Sequence, residues 1–348
     1  KINSLTANKQ ISEFLRKNRG IFEYILEGVI VVLLFAASLQ FLRVPTPAKE
    51  IVEAIIGNDP VLEDPSSSNE NNVIKTIAHR GAGLDAPENS LVAFKTCKEK
   101  GVNFVEFDVT LTKDGVPVIF HDDTLERLTD HCDFIRDKTY DELKNIDISV
   151  KHPFSDRYQG TFIPTLDETV NQLLNSGQNM FIDVKDNNMQ MVNVILDIYE
   201  KYPALYLRAV TTSFFPNIIY LIRRRNPKIV CSLAWRPYAF TRVSYSYPAG
   251  KGPRRSNVFY KHILYALCDI LHDFLLTKIT YYLMGISFIL LHKDAICGRT
   301  VQDWREKGVR VIAWTVNHPV EKQHFARVLK ITYMTDTLTG ESASRSGC

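Results

Sequence analysis

The chain has 348 residues, of which 45% are hydrophobic and 23% charged, the balance of a folded globular protein and not of a disordered one. Forty-two basic and 39 acidic residues leave a net charge of +3, so no global basic field points to nucleic acid as a partner. Sixteen Gly, 15 Pro and six Cys exclude collagen-like and disulfide-scaffold architectures. The cysteines (97, 132, 231, 268, 297 and 348) have no CxxC spacing, which argues against a zinc site.

Residues 1–20 read as a cytoplasmic N-terminal segment, with Lys1, Lys9, Arg16, Lys17 and Arg19 against Glu13. Residues 21–42 are long and apolar enough for a transmembrane anchor, and residues 28–42 carry no charge. A cleaved signal peptide and a buried core helix are the competing readings. Glu50, Glu53, Asp59, Glu63, Asp64 and Glu70 follow the span. The positive-inside rule therefore places the N-terminus in the cytoplasm and the rest of the chain in a lumen or outside the cell, on a plasma or endomembrane bilayer. Residues 43–72 read as a linker, since 58–72 are polar and hold two prolines.

From 73 to 340 short apolar runs alternate with amphipathic helical patterns. Strands are expected at 73–78, 103–109, 180–184, 208–212, 229–234, 285–290, 309–315 and 331–335, with helices such as 91–100, 189–201 and 300–307 between them. Eight such units predict a TIM (β/α)8 barrel, with a doubly wound open sheet as the alternative on pattern alone. An insertion at 236–285 breaks the rhythm. Its first part carries six basic residues, no acidic one and many aromatics, and its second part is apolar but interrupted by Asp269, His272, Asp273 and Lys278. A spanning helix tolerates such charges poorly, so the insertion reads as a membrane-associated pair of interfacial helices, with a helical subdomain packed on the barrel as the alternative. Residues 341–348 form a C-terminal tail.

Chemistry concentrates at the ends of the strand-like runs. Glu106 and Asp108 are two apart on an apolar strand, so they share a face. Two carboxylates so placed need a cation between them, and oxygen ligands select a hard ion, Mg²⁺ or Ca²⁺. Asp183 ends another apolar run and can supply a third ligand. Lys185 shares its face, which suits an anionic substrate. His79 and His121 can act as acid and base near neutral pH, and Arg80 offers a planar fork for phosphate oxygens. The remaining histidines (131, 152, 262, 272, 292, 318 and 324) have no such company and read as surface or packing residues.

Five clusters in this order and spacing resemble the glycerophosphodiester phosphodiesterase family: His79, Arg80 and Gly81; Pro87, Glu88 and Asn89; Glu106, Phe107 and Asp108; Thr112 to Gly115; and His121, Asp122 and Asp123. Asp183 to Lys185, Trp314 to Asn317, and Thr335 with Asp336 continue the likeness. The anchor, the apolar insertion and Asp183 in place of the Glu of many bacterial members resemble the family's membrane-bound animal branch. The resemblance implies a TIM barrel that uses a divalent cation to cut glycerophosphodiesters into glycerol 3-phosphate and an alcohol, with glycerophosphoinositol and glycerophospho-N-acylethanolamines as substrates. It implies Glu106, Asp108 and Asp183 as metal ligands and His79 and His121 as the acid–base pair. It assigns Arg80 and Lys185 to the phosphate, Trp314 to the wall beside the glycerol, and Glu88 and Asn89 to bracing the first loop. Ser90 stands where the family usually has Thr, and it keeps a hydroxyl for capping the next helix. Two alternatives remain open at this point. One is phospholipase D-like cleavage of lysophospholipids or sphingolipids, and the other a non-catalytic membrane scaffold.

Overall fold

A computed structural model of the chain describes residues 19–61, 74–246 and 250–339. Residues 1–18 of the expected segment 1–20, the expected tail 341–348 and part of the linker lie outside the described residues. The chain forms two units, residues 1–43 and 44–348. In the first, helix α1 (Arg19–Leu42) contains the stretch Glu23–Leu42, which is long and apolar enough to cross a membrane. Its described side chains from Glu23 to Phe35 are all exposed.

The second unit is a closed barrel. Its eight parallel strands are β1 (Thr76–Ala78), β2 (Phe104–Leu111), β4 (Asn179–Val184), β5 (Ala209–Ser213), β6 (Cys231–Trp235), β9 (Phe288–His292), β10 (Arg310–Trp314) and β11 (Thr332–Thr335). Each pairs with its neighbour, and β1 closes the ring between β11 and β2. These match the eight expected strands to within a few residues. One further strand, β3 (Pro117–Ile119), turns back antiparallel on β2. It is too short to show a period of its own.

Side-chain alternation sorts each strand. On β2, Val105, Phe107 and Val109 pack outward against Phe94 and Val170 of the helical layer. Phe104 points into the barrel with Ile77, Phe181 and Phe288. Glu106 and Asp108 continue the inward face of Phe104 toward the C-terminal mouth.

The linker reading needs a correction at residues 49–56. Helix α2 (Lys49–Ile56) carries Val52, Ile55 and Ile56 at amphipathic spacing and buries them in the barrel interior. It closes the N-terminal end of the barrel. Asn179, which begins β4, donates to the Ile55 carbonyl at 2.8 Å, and Arg310, which begins β10, donates to the Gly57 carbonyl at 2.6 Å. The polar, proline-containing sequence just after it made this helix hard to see.

The insertion also differs from expectation. It holds a small hairpin, β7 (Tyr245–Ser246) with β8 (Gly250–Lys251), and one long helix instead of a pair. Helix α3 (Phe259–Leu275) runs on through a wide turn at Leu276–Thr280 and a final helical turn at Tyr281–Met284. Its connection to β6 and β9 is that of a βα excursion, because those two strands are paired neighbours.

Ile55 is 1% exposed, so Ile55→Ala leaves a cavity at the floor of the barrel. We expect a loss of about 2–5 kcal/mol in urea unfolding of the full chain in mild detergent. A loss under about 1 kcal/mol would mean that α2 contributes little to the core.

Candidate active site

The strand register brings the acidic residues together. Asp108 pairs directly with Asp183 across β2 and β4, and Glu106 lies two residues below Asp108 on the same face. One carboxylate oxygen from each of the three lies within 4.8 Å of the others, and all three residues are buried. Burial, then the neighbouring Asp108 charge, pushes the Glu106 carboxyl up to about 8. Burial also raises Asp183. Asp108 is buried too, but Lys185 and Arg80 outweigh that and hold it well below the usual carboxylate range.

Each cation has a defined seat. Lys185 Nζ lies 2.5 Å from Asp183 Oδ2 and 2.8 Å from Asp108 Oδ1. Arg80 sits at a left-handed position (φ 52°) in the turn after β1, which aims its backbone N–H at Glu106 Oε2, 2.9 Å away. Its guanidinium reaches Glu88 Oε1 at 3.1 Å and Asp108 Oδ2 at 3.4 Å. Asn89 grips Asp108 twice. Its amide donates to Oδ2 at 2.7 Å and its Oδ1 accepts the Asp108 N–H at 3.1 Å. Ser90 caps the helix Leu91–Glu99 by accepting from Ala93 N, as its hydroxyl suggested.

Both expected histidines face this cluster, and each is backed by a carboxylate. His79 Nδ1 is 2.5 Å from Asp336 Oδ1, and His121 Nδ1 is 2.6 Å from Asp122 Oδ1. Since the acceptors are carboxylates, Nδ1 carries the proton in each ring and Nε2 is the free nitrogen. Burial opposes a charge on His79, but Asp336 and Glu106 outweigh it and raise its pKa. Asn317 holds Asp336 from behind at 2.8 Å. Arg127 ties Asp122 to Glu88, at 2.5 Å from the first and 2.6 Å from the second.

These groups open into one cavity of about 540 Å³, lined by His79, Arg80, Glu88, Glu106, His121, Asp183, Lys185 and Trp314. Phe214 and Trp314 form an aromatic wall, with ring centroids 5.7 Å apart. Arg236, Val243, Ser244 and Tyr245 bring the insertion into the lining.

Residues 79–338 match the profile of the glycerophosphoryl diester phosphodiesterase family. The chain belongs to that family. It is similar to glycerophosphodiester phosphodiesterase 1 of Homo sapiens, at 34% identity over 76% of this chain and 78% of the relative. The Mus musculus protein of the same name is 31% identical over 92% of this chain and 89% of its own length. Among solved structures, an Oleispira antarctica phosphodiesterase in complex with sn-glycerol-3-phosphate superposes with a TM-score of 0.62 at 21% identity, covering 79% of this chain and 98% of that one. At that identity the superposition speaks for the fold.

Like its family, the chain has a donor set suited to a divalent cation. Asp183 Oδ1 is buried without a hydrogen-bond partner among the described residues. Among the described residues the three carboxylates face Lys185, Arg80 and His79 as close basic groups, and all-oxygen donors favour a hard ion. The residues present therefore fit such an ion.

Sequence reasoning missed the groups behind the histidines. Asp122, Arg127 and Asp336 lie on loops, and Asp336 is 257 residues from His79 along the chain. The family motifs include Asp122 and Asp336 but pair neither with a histidine, and Arg127 stands in none of them. His292, read as packing, is buried with its ring 5.1 Å from Trp314 and 4.7 Å from Tyr245.

The folded state holds protons on Glu106, Asp183 and His79 at pH values where the unfolded chain has released them. Unfolding free energy in chelator is therefore expected to fall from about pH 5 to about pH 8. Mg²⁺ should flatten that slope by taking the protons' place. Urea titrations at several pH values check this. Stability that rises over the window, or a slope indifferent to Mg²⁺, would contradict it.

Proposed function

We propose that this protein is a membrane-anchored, divalent-cation-dependent phosphodiesterase that hydrolyses glycerophosphodiesters to glycerol 3-phosphate and an alcohol. The observation that carries the reading is the convergence of three carboxylates, Lys185, Arg80 and two carboxylate-backed histidines in one cavity. Glycerophosphoinositol and glycerophospho-N-acylethanolamines are the substrates we favour. The family likeness supports them, and so does a cavity with both a charged floor and an aromatic wall.

Glu106, Asp108 and Asp183 would hold the ion. When bound, Mg²⁺ or Ca²⁺ supplies positive charge against the phosphate oxygens. Lys185 and Arg80 face the same oxygens and neutralise charge that builds up during transfer. One histidine Nε2 takes the proton of the attacking oxygen, from water or from the neighbouring glycerol hydroxyl, as the new P–O bond forms; in the second case water then opens the cyclic phosphate. The other Nε2 gives its proton to the alcohol oxygen as the old P–O bond breaks. Asp122 and Asp336 hold the rings so that Nε2 is the reactive atom. Glu88 and Asn89 keep Arg80 and Asp108 in place.

The anchor reading rests on α1 and on the basic segment before it. It puts the barrel on the lumenal or extracellular face of the bilayer. No observation favours a lysophospholipid headgroup cleavage or a silent scaffold over this reading.

The test is a panel of glycerophosphodiesters assayed with Mg²⁺, Ca²⁺ or chelator, scoring sn-glycerol 3-phosphate. We expect cation-dependent release, and a loss of at least about 100-fold in His121→Ala with the fold retained. Absence of release from every glycerophosphodiester under all three conditions would refute the proposal.

A further inference from the structure

Helix α3 of the insertion is amphipathic with its polar side turned inward. Asp273 Oδ1 accepts from the Trp235 indole N–H at 2.7 Å, at the very end of β6. Asp269 accepts from the Phe240 N–H at 2.8 Å and from the Thr241 hydroxyl at 2.7 Å. The ring of His272 lies 5.6 Å from that of Phe240. Asp269, His272 and Asp273, three of the residues that interrupt this apolar sequence, are thus the groups that fasten the helix to the protein. Its opposite face is left open: Phe259 is 79% exposed, Ile270 67%, Leu267 58% and Phe274 56%. A contiguous apolar face of this kind is not left to water.

Three observations say what covers it. The first is where the helix ends. Leu283 accepts from the Val44 N–H at 2.7 Å, and a side chain at Gly285 would strike the Val44 carbonyl. Buried Arg223 donates to the carbonyls of both Met284 and Pro45. Val44 is therefore fixed to the C-terminal end of this long helix, and only Arg43 separates it from Leu42, the last residue of α1. Two peptide units span at most about 7 Å. The second is charge. The segment 236–261, which leads into the helix, has six basic residues and no acidic one, and Arg254, Arg255 and Lys261 are exposed. The third is topology. β6 and β9, on either side of the insertion, are hydrogen-bonded neighbours in one barrel, so the helix cannot carry the chain to the other side of a bilayer.

We infer that the Phe259–Phe274 face of α3 lies in the headgroup–acyl boundary of the bilayer that receives α1, with the basic segment on anionic lipid. This inference rests on the anchor reading above. Such a helix buries its apolar face while its polar side stays at the surface. Since the insertion also lines the cavity through Arg236 and Tyr245, the docked helix holds the catalytic mouth at the membrane surface, where the lipid-bearing diesters reside.

The experiment uses the full chain reconstituted in phosphatidylcholine–phosphatidylserine vesicles with brominated acyl chains. Leu267→Trp and Leu33→Trp are each read as added tryptophan emission over the unsubstituted chain. Turnover of soluble glycerophosphoinositol serves as the check on folding. We expect the Leu267→Trp emission to be quenched most by bromines near the headgroups, and that of Leu33→Trp by bromines near the bilayer centre. Quenching at position 33 but not at 267 overturns this inference and leaves the anchor standing. So does cross-linking of position 267 to a second copy without lipid quenching. Quenching of Leu267→Trp deepest at the centre overturns the interfacial placement. Loss of quenching at both positions removes the anchor reading as well.

Discussion

The site depends on mutual repulsion held in place by hydrogen-bonded strands. The pairing of β2 with β4 sets Asp108 beside Asp183, and the two-residue period of β2 adds Glu106 on the same face. No side-chain rotation lets these groups leave the barrel interior, because the outward face is filled by Val105, Phe107 and Val109. Burial then makes full ionisation costly, and Glu106 is driven toward its protonated form. Lys185 and Arg80 offset part of the charge. A divalent cation held by the three carboxylates would offset the rest.

Stability and chemistry occupy opposite ends of the barrel. α2 fills the N-terminal end with Val52, Ile55 and Ile56, while the C-terminal ends of the strands carry the ionisable groups. This division is general in the fold, since the loops after the strands can vary without disturbing the packed interior. The insertion after β6 uses that freedom. It contributes wall residues to the cavity and an outward apolar helix from the same loop.

Much of the arrangement was legible from residues close in sequence. The Glu106–Asp108 spacing, the apolar runs that end in His79 and Asp183, and the alternation of strands with helices are local patterns that the backbone turns directly into geometry. Contacts made by loops distant in sequence were not legible. Asp336 behind His79, and Arg127 clamping Glu88 to Asp122, depend on how the barrel closes. Helix α2 was hidden because its eight residues adjoin a polar stretch. The inward-facing polarity of α3 could not be read from periodicity, which gives the faces of a helix but not the medium each one meets.

The most direct test of the account is anomalous diffraction from crystals soaked in Mn²⁺, a hard-ion substitute for Mg²⁺. The account predicts one strong peak about 2.0–2.6 Å from carboxylate oxygens of Glu106, Asp108 and Asp183. A well-ordered triad with no peak, or an ion bound by other residues, would contradict it.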